Sequence, residues 1–167
     1  MRIRPARAAD AQSISDIANA CITRSKDRPG VGLIDYPVTT TEKYFSRMKH
    51  GDFLVAEIDG KVRGFLDFYA KKRLPKVWPD DPVINEVYKR MEDNELYLHT
   101  LAIHPDYQRQ GLGTEFIGKP VLPLWGAIVT APARNLASLK LVRNHNFYPV
   151  VNVDAHGLTF TIVHKRK

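Results

Sequence analysis

One stretch constrains this chain more than any other: Leu98-His99-Thr100-Leu101-Ala102-Ile103-His104-Pro105-Asp106-Tyr107-Gln108-Arg109-Gln110-Gly111-Leu112-Gly113-Thr114. It reads as an apolar strand, a Pro-containing turn, and then Gln-x-x-Gly-x-Gly at the start of a helix. Glycines at such a place let a backbone approach a ligand closely. The open amides of the first helical turn then donate to an anion, with the helix dipole behind them. Arg109 adds a fixed positive charge. The expected ligand group is a phosphate or pyrophosphate. A Walker phosphate loop is excluded, because no Gly-Lys-Ser/Thr follows. A dinucleotide fingerprint is disfavoured, because Phe116 stands where its third glycine belongs.

The charge balance agrees with an anionic partner. Lys and Arg number 25 against 18 acids, a formal net charge of +7 in 167 residues. With 44% hydrophobic and 26% charged residues, the chain is of ordinary globular type and of a length for one domain. Cys21 is alone, so no internal disulfide or thiolate cluster is expected, and no metal is called for. A reducing, cytoplasmic setting follows as an expectation. No apolar run approaches the length of a membrane span, and the first residues lack a secretory apolar core.

Along the chain, Ile3 opens a short strand. Ile14, Ile17, Ala18, Cys21 and Ile22 give helical spacing over 10–22. Residues 26–37 read as loop, with Pro29, Gly30, Gly32 and Pro37. Thr39 and Glu42 have capping-box spacing for a second helix that ends near Gly51. Phe53 to Ile58 and Val62 to Tyr69 form a hairpin about Asp59-Gly60. Residues 71–94 are charged and Pro-rich, and read as an insertion with one helix beginning at Pro82. A strand over 95–103 follows, then the glycine turn. Its helix is expected to be short or kinked by Gly118, Pro120 and Pro123. A strand near 127–130, a helix over 135–144, and paired strands over 147–153 and 158–163 complete the order βααββ-(insertion)-βαβαββ. The fold class is α+β, three layers deep: helices flank a mixed, mostly antiparallel sheet of about six to seven strands.

The central stretch resembles the acyl-coenzyme A binding core of the GNAT superfamily of N-acetyltransferases. Leu101-Ala102-Ile103, His104-Pro105 and Gln108 to Gly113 match its strand, turn and glycine pattern in order and spacing. A second motif of that superfamily is matched by Asn135, Ser138, Leu141, Val142, Asn146 and Phe147. The resemblance spans essentially the whole chain, with residues 71–94 the least typical part.

That resemblance implies a cofactor, acetyl-CoA, with coenzyme A as product. It implies that Leu101, Ala102 and Ile103 hold the pantetheine arm and thioester carbonyl through backbone groups. Gln108, Arg109, Gln110, Gly111, Leu112, Gly113 and Thr114 would wrap the pyrophosphate. Asn135 and Ser138 would face the cofactor, Asn135 also being a favoured helix cap. The implied activity is transfer of an acetyl group to an amine, which must lose a proton to attack. Developing charge on the carbonyl oxygen calls for aimed backbone donors.

Strand alternation places Glu95, Tyr97, His99 and Leu101 on one face. Tyr97-x-His99 resembles the His-x-His placement of arylalkylamine N-acetyltransferases. His99, with an ordinary pKa of about 6.5, is the expected base, and Glu95 is the next candidate, through water. Val142 stands where many members carry a tyrosine acid, and Tyr148 is the nearest phenol in sequence. Asn146 replaces a glycine and tolerates a left-handed backbone. Residues 26–37, the second helix and 71–94 are expected to set specificity, with Tyr36, Tyr69 and Trp78 as wall candidates.

The acceptor class stays open: a small-molecule amine or a protein amino group. A non-catalytic acyl-CoA-binding module is the alternative. Nucleic-acid binding is a third class, prompted by His164-Lys165-Arg166-Lys167. The scattered basic residues argue against it, and such a terminus reads as a solvated tail. The superfamily includes monomers and homodimers.

Overall fold

The computed structural model describes residues 1–166. Its secondary structure follows the apolar patterning closely. Strand β1 (Arg2–Pro5) leads to helix α1 (Ala11–Ala20). Ile14, Ile17, Ala18 and Cys21 are all buried along one side of this helix, as the 3.6-residue period requires. Two short strands follow, β2 (Ile22–Thr23) and β3 (Leu33–Ile34), paired in parallel. Residues 26–37 are therefore not simple loop.

Helix α2 (Thr41–Arg47) is capped by the Thr40 hydroxyl, which accepts from the Lys43 amide. Thr39 is not the cap. Its amide and hydroxyl donate to Asn19 instead, and it is buried against α1. Strands β4 (Asp52–Ile58) and β5 (Lys61–Ala70) form the expected hairpin. Both turn residues, Asp59 and Gly60, have positive φ, the backbone of a two-residue turn that matches strand twist.

The 71–94 segment holds two α-helices rather than one: α3 (Leu74–Val77) and α4 (Pro82–Arg90). Pro82 takes the first helical position, and the Asp81 carboxylate caps the Val83 and Ile84 amides. Strand β6 (Leu96–Ile103) then enters the sheet. Helix α5 (Leu112–Ile117) is only six residues long and stops at Gly118, as the glycine and prolines foretell. Strand β7 (Leu124–Ala131), helix α6 (Leu136–Asn144), and strands β8 (Tyr148–Ala155) and β9 (Leu158–Lys165) complete the chain. The basic terminus is not a free tail: His164 is buried and Lys165 belongs to β9, while Lys167 lies outside the described residues.

Among the described residues, seven strands form one sheet in the order β1-β4-β5-β6-β7-β9-β8. Every pairing is antiparallel except β6 with β7. One face packs its core of Phe53, Val55, Phe65, Tyr97, Ala102 and Trp125 beneath residues of α1, α2, α3 and α4. The other face packs under α5 and α6, with Phe116, Ile117 and Leu141 against Leu66, Leu98 and Leu101. No helix among the described residues is long and apolar enough to cross a membrane.

The feature that makes room for a ligand is the parallel pair within this seven-stranded sheet. Strands β6 and β7 match only at Leu96–Leu124 and Tyr97–Trp125. Beyond those two rungs they part, and a cleft of about 1450 Å³ opens between them.

Candidate active site at the parting of β6 and β7

The cleft is walled by β6 from Tyr97 to Ile103, by β7 from Gly126 to Val129, by the glycine turn and by the start of α6. Its β6 wall carries unspent donors. The Thr100 amide is bonded to Asp67 and the His104 amide to the Arg63 carbonyl, both on the β5 side. Alternation along the strand therefore aims the Leu101 and Ile103 amides at the cleft. Of the Leu101-Ala102-Ile103 triplet, Leu101 and Ile103 send side chains to the α5 face, and Ala102 to the α1 face.

The glycine turn is shaped to receive an anion. Arg109 and Gly111 have positive φ, 61° and 83°. Among the described residues, the amides of Arg109, Gln110 and Gly111 find no acceptor. Those of Leu112, Gly113 and Thr114 are the open first-turn donors of α5. A Cβ placed on Gly111 would meet nothing within 4 Å, whereas one on Gly113 would press on Leu141 at 3.3 Å. Gly113 thus lets α5 and α6 approach, and Gly111 supplies the left-handed bend. Gln108 closes the turn by donating to the Ile103 carbonyl at 2.9 Å. The Gln110 side chain only returns to the Asp106 carbonyl and does not line the cleft. His104 accepts from the Asp106 amide and so shapes the turn. These donors fit a pyrophosphate, and with the strand amides they fit the extended arm of a coenzyme A thioester.

Across the cleft, Asn135 does two things. Its Oδ1 caps the Ser138 amide of α6, and its Nδ2 donates to the Gly32 carbonyl at 2.9 Å. The Ala137 amide binds the Gly30 carbonyl at the same distance, 2.9 Å. Residues 30–32 are thereby strapped from the α1 side of the molecule to α6. Nothing in the sequence marks this strap, because both contacts are backbone acceptors more than a hundred residues away. Ser138 and Val142 line the cleft, and Asn146 has φ 61°, the left-handed conformation its residue type allows.

His99 lies on the cleft wall, its side chain 13% exposed. It is the extra residue of a β-bulge in β6: Asp67 pairs with Thr100 and Phe68 with Leu98, so His99 has no partner. The bulge shifts the alternation. Tyr97 and His99 share a face, as expected, but Leu101 turns to the other one. The imidazole stacks on Trp78 with ring centres 4.2 Å apart, and its Nδ1 lies 2.7 Å from the Thr100 hydroxyl and 3.5 Å from Asp67. Asp67 is wholly buried and accepts from the Thr100 amide and the Tyr69 hydroxyl. Burial pushes the His99 pKa below its ordinary value, Asp67 pulls it part of the way back, and Arg47 lowers it again. The result is an imidazole that is neutral, and able to accept a proton, at neutral pH. Tyr36 and Trp78 line the cleft beside it, while Tyr69 is fully buried behind.

The structure brings Glu95 and Tyr148 together, but not here. Glu95 accepts from the Glu92 amide at 2.7 Å and the Trp125 indole at 2.6 Å, and bonds the His164 ring at 2.9 Å. The other nitrogen of His164 is 2.7 Å from the Tyr148 hydroxyl. This buried chain lies at the two rungs that join β6 to β7, outside the cleft lining. Burial alone would raise the Glu95 pKa, but its three partners hold it below the usual carboxylate range. Sequence reading also missed Asp67 and Arg47. Asp67 stands in an ordinary strand pattern, and only the bulge brings it behind His99.

Comparison with known proteins bears on the family and the fold. The sequence profile of the Acetyltransferase (GNAT) family matches residues 14–119. No protein with a curated description matches the chain in sequence. Among solved structures, an N-acetyltransferase from Staphylococcus aureus Mu50 is similar at 18% identity and TM-score 0.64, covering 99% of this chain and 100% of that one. The Salmonella typhimurium protein yncA, solved with its cofactor acetyl-CoA, gives 18% and 0.66, covering 99% and 92%. A ribosomal-protein-alanine N-acetyltransferase from Brucella melitensis gives 18% and 0.65, covering 100% of both chains.

Proposed function

The chain belongs to the acetyltransferase (GNAT) family, and on that premise we propose that it acetylates a primary amine held at His99, by direct attack on the thioester of acetyl-CoA. The observation that carries this reading is the placing of His99 on the same diverging strand that aims the Leu101 and Ile103 amides into the cleft. When bound, acetyl-CoA supplies an acetyl group whose C–S bond breaks as the acceptor nitrogen forms its C–N bond. The turn from Arg109 to Thr114 holds the phosphates, and the first turn of α6, at Asn135 and Ser138, faces the arm. The Leu101 and Ile103 amides orient the carbonyl and stabilise charge that develops on its oxygen. His99 takes the proton from the acceptor nitrogen, with Asp67 and Thr100 fixing the ring. Val142 lines the cleft without a proton to donate, so the proton for a departing thiolate would have to come from solvent. Glu95 and Tyr148 serve instead as the pin that closes β6 on β7.

Coenzyme A release from a panel of amines, with product masses, tests the reaction. His99→Gln is expected to lower kcat by about 10²- to 10³-fold. It should also remove a limb of the pH profile that lies below the ordinary histidine range. Full activity of His99→Gln at every pH would show that another group is the base. Binding of acetyl-CoA without any release from any amine would favour the non-catalytic module.

A further inference from the structure

The acceptor end of the cleft holds positive charge that the fold does not neutralise. Arg47, on the last turn of α2, is 8% exposed and lines the cleft. Its Nη1 donates to the Tyr36 hydroxyl at 2.8 Å. Its guanidinium lies 5.3 Å from the Trp78 ring centre and 5.5 Å from that of Tyr44. Among the described residues no carboxylate comes within ion-pair distance of it. Asp67 acts on it only through space, and both Asp67 oxygens are already engaged. A buried guanidinium with one neutral hydrogen bond and two ring faces is poorly compensated.

Lys43, one turn earlier on the same side of α2, also lines the cleft, and no acid pairs with it among the described residues. Like charges four apart on a helix repel. The acids of this cleft are spent elsewhere. Asp35 accepts from the Ser25 amide, and Asp81 caps α4 and pairs with His156 at 2.8 Å. Trp78 contacts both functional groups, its ring 4.2 Å from His99 and 5.3 Å from Arg47, so the two lie close together at this end of the cleft. One small molecule can therefore touch both.

We propose that the acceptor is an amine that also carries a carboxylate, an amino acid or close analogue, with its carboxylate seated on Arg47 and Lys43 and its amine on His99. His99, backed by the buried Asp67, then faces the nitrogen, and Arg47 faces the anion, so the site answers both ends of an amino acid. Tyr36 and Trp78 provide an apolar wall for the side chain. This inference rests on the acetyltransfer proposed for the same cleft.

The test uses a trio that differs only in the carboxylate: L-phenylalanine, L-phenylalaninamide and phenethylamine, with coenzyme A release as readout. The acid is expected to be preferred by about 10²-fold in kcat/KM, because a site built for a polar group rejects its absence strongly. Arg47→Gln should collapse the acid-to-amide ratio by about the same factor, a comparison in which differences in amine basicity cancel. If Arg47→Gln does not fold, Tyr36→Phe, which removes only the hydroxyl on Arg47, should raise KM for the acid selectively. A wild-type preference for the amide or the amine, or an equal loss for all three in the variants, overturns the proposal. Binding separates it from the reaction itself. With coenzyme A present, N-acetyl-L-phenylalanine should bind by calorimetry and N-acetylphenethylamine should not. That result without any turnover would sink the acetyltransfer reading and leave the anion seat standing, whereas equal binding of the two would remove the seat.

Discussion

At the scale of residues, the two buried carboxylates near β6 have opposite work. Asp67 supports a group that faces the cleft, whereas Glu95 ties strands together. Glu95→Ala would leave the His164 ring, the Trp125 indole and the Glu92 amide without their partner. It is expected to cost about 3 kcal/mol, the scale for breaking a buried charged network. Urea titration reads that loss, and activity per folded molecule should survive it. A variant as stable as the parent but inactive would make Glu95 the base after all. Asp10 gives a second case. It bonds Arg4 and the Arg7 amide, and Arg4 foremost holds its pKa below the ordinary value. The stability it contributes is therefore present above the unfolded-state pKa of about 3.9 and fades as pH falls through the lower folded value. Asp10→Asn should destabilise at neutral pH and flatten the acid limb of a stability curve. His99 and the glycine turn were legible from residue type and spacing. Arg47 and Asp67 were not, because their meaning lies in which charges surround them, and those come from four separate elements.

At the scale of elements, the turn before α5 does the most with the fewest atoms. Gly111 has φ 83° and open space where a Cβ would stand. Gly111→Ala therefore meets no clash, only the strain of a left-handed alanine, about 1 kcal/mol. Its expected signature is a rise in KM for acetyl-CoA with little change in kcat, read by steady-state kinetics. Most elements were visible in the sequence because their apolar periods are clean. The two-residue hairpin at Asp59-Gly60, the helix opened by Pro82 and the short α5 all follow from local turn and cap chemistry. What failed was local too. Thr39 and Thr40 both offer a hydroxyl, and tertiary contacts with Asn19 take the first, which leaves the cap to the second. The β-bulge at His99 inverted the predicted face of Leu101, since a bulge leaves no mark in an alternating run. Strands β2 and β3 are two residues each, too short for any periodicity to report.

At the scale of the whole molecule, the sheet is two half-sheets that share two rungs. Strands β1, β4, β5 and β6 come from residues 2–103, and β7, β9 and β8 from residues 124–165. The Glu95–His164–Tyr148 pin closes the base, while the residue 30–32 strap and the Asp81–His156 pair bridge the two sides higher up. The unused rungs have a consequence that needs no acceptor to observe. Amides of Leu101 and Ile103, lacking strand partners on the β7 side, should trade their hydrogens for deuterium quickly although they sit mid-sheet. Saturating acetyl-CoA should slow that exchange at these amides and across the 109–114 turn. At a hundredfold excess over Kd, occupancy should also stabilise the fold by about 2.7 kcal/mol. Mass spectrometry of the labelled peptides reads the slowing directly. The unpaired edge of β6 thus makes the protein its own occupancy gauge, with isotope uptake as the dial.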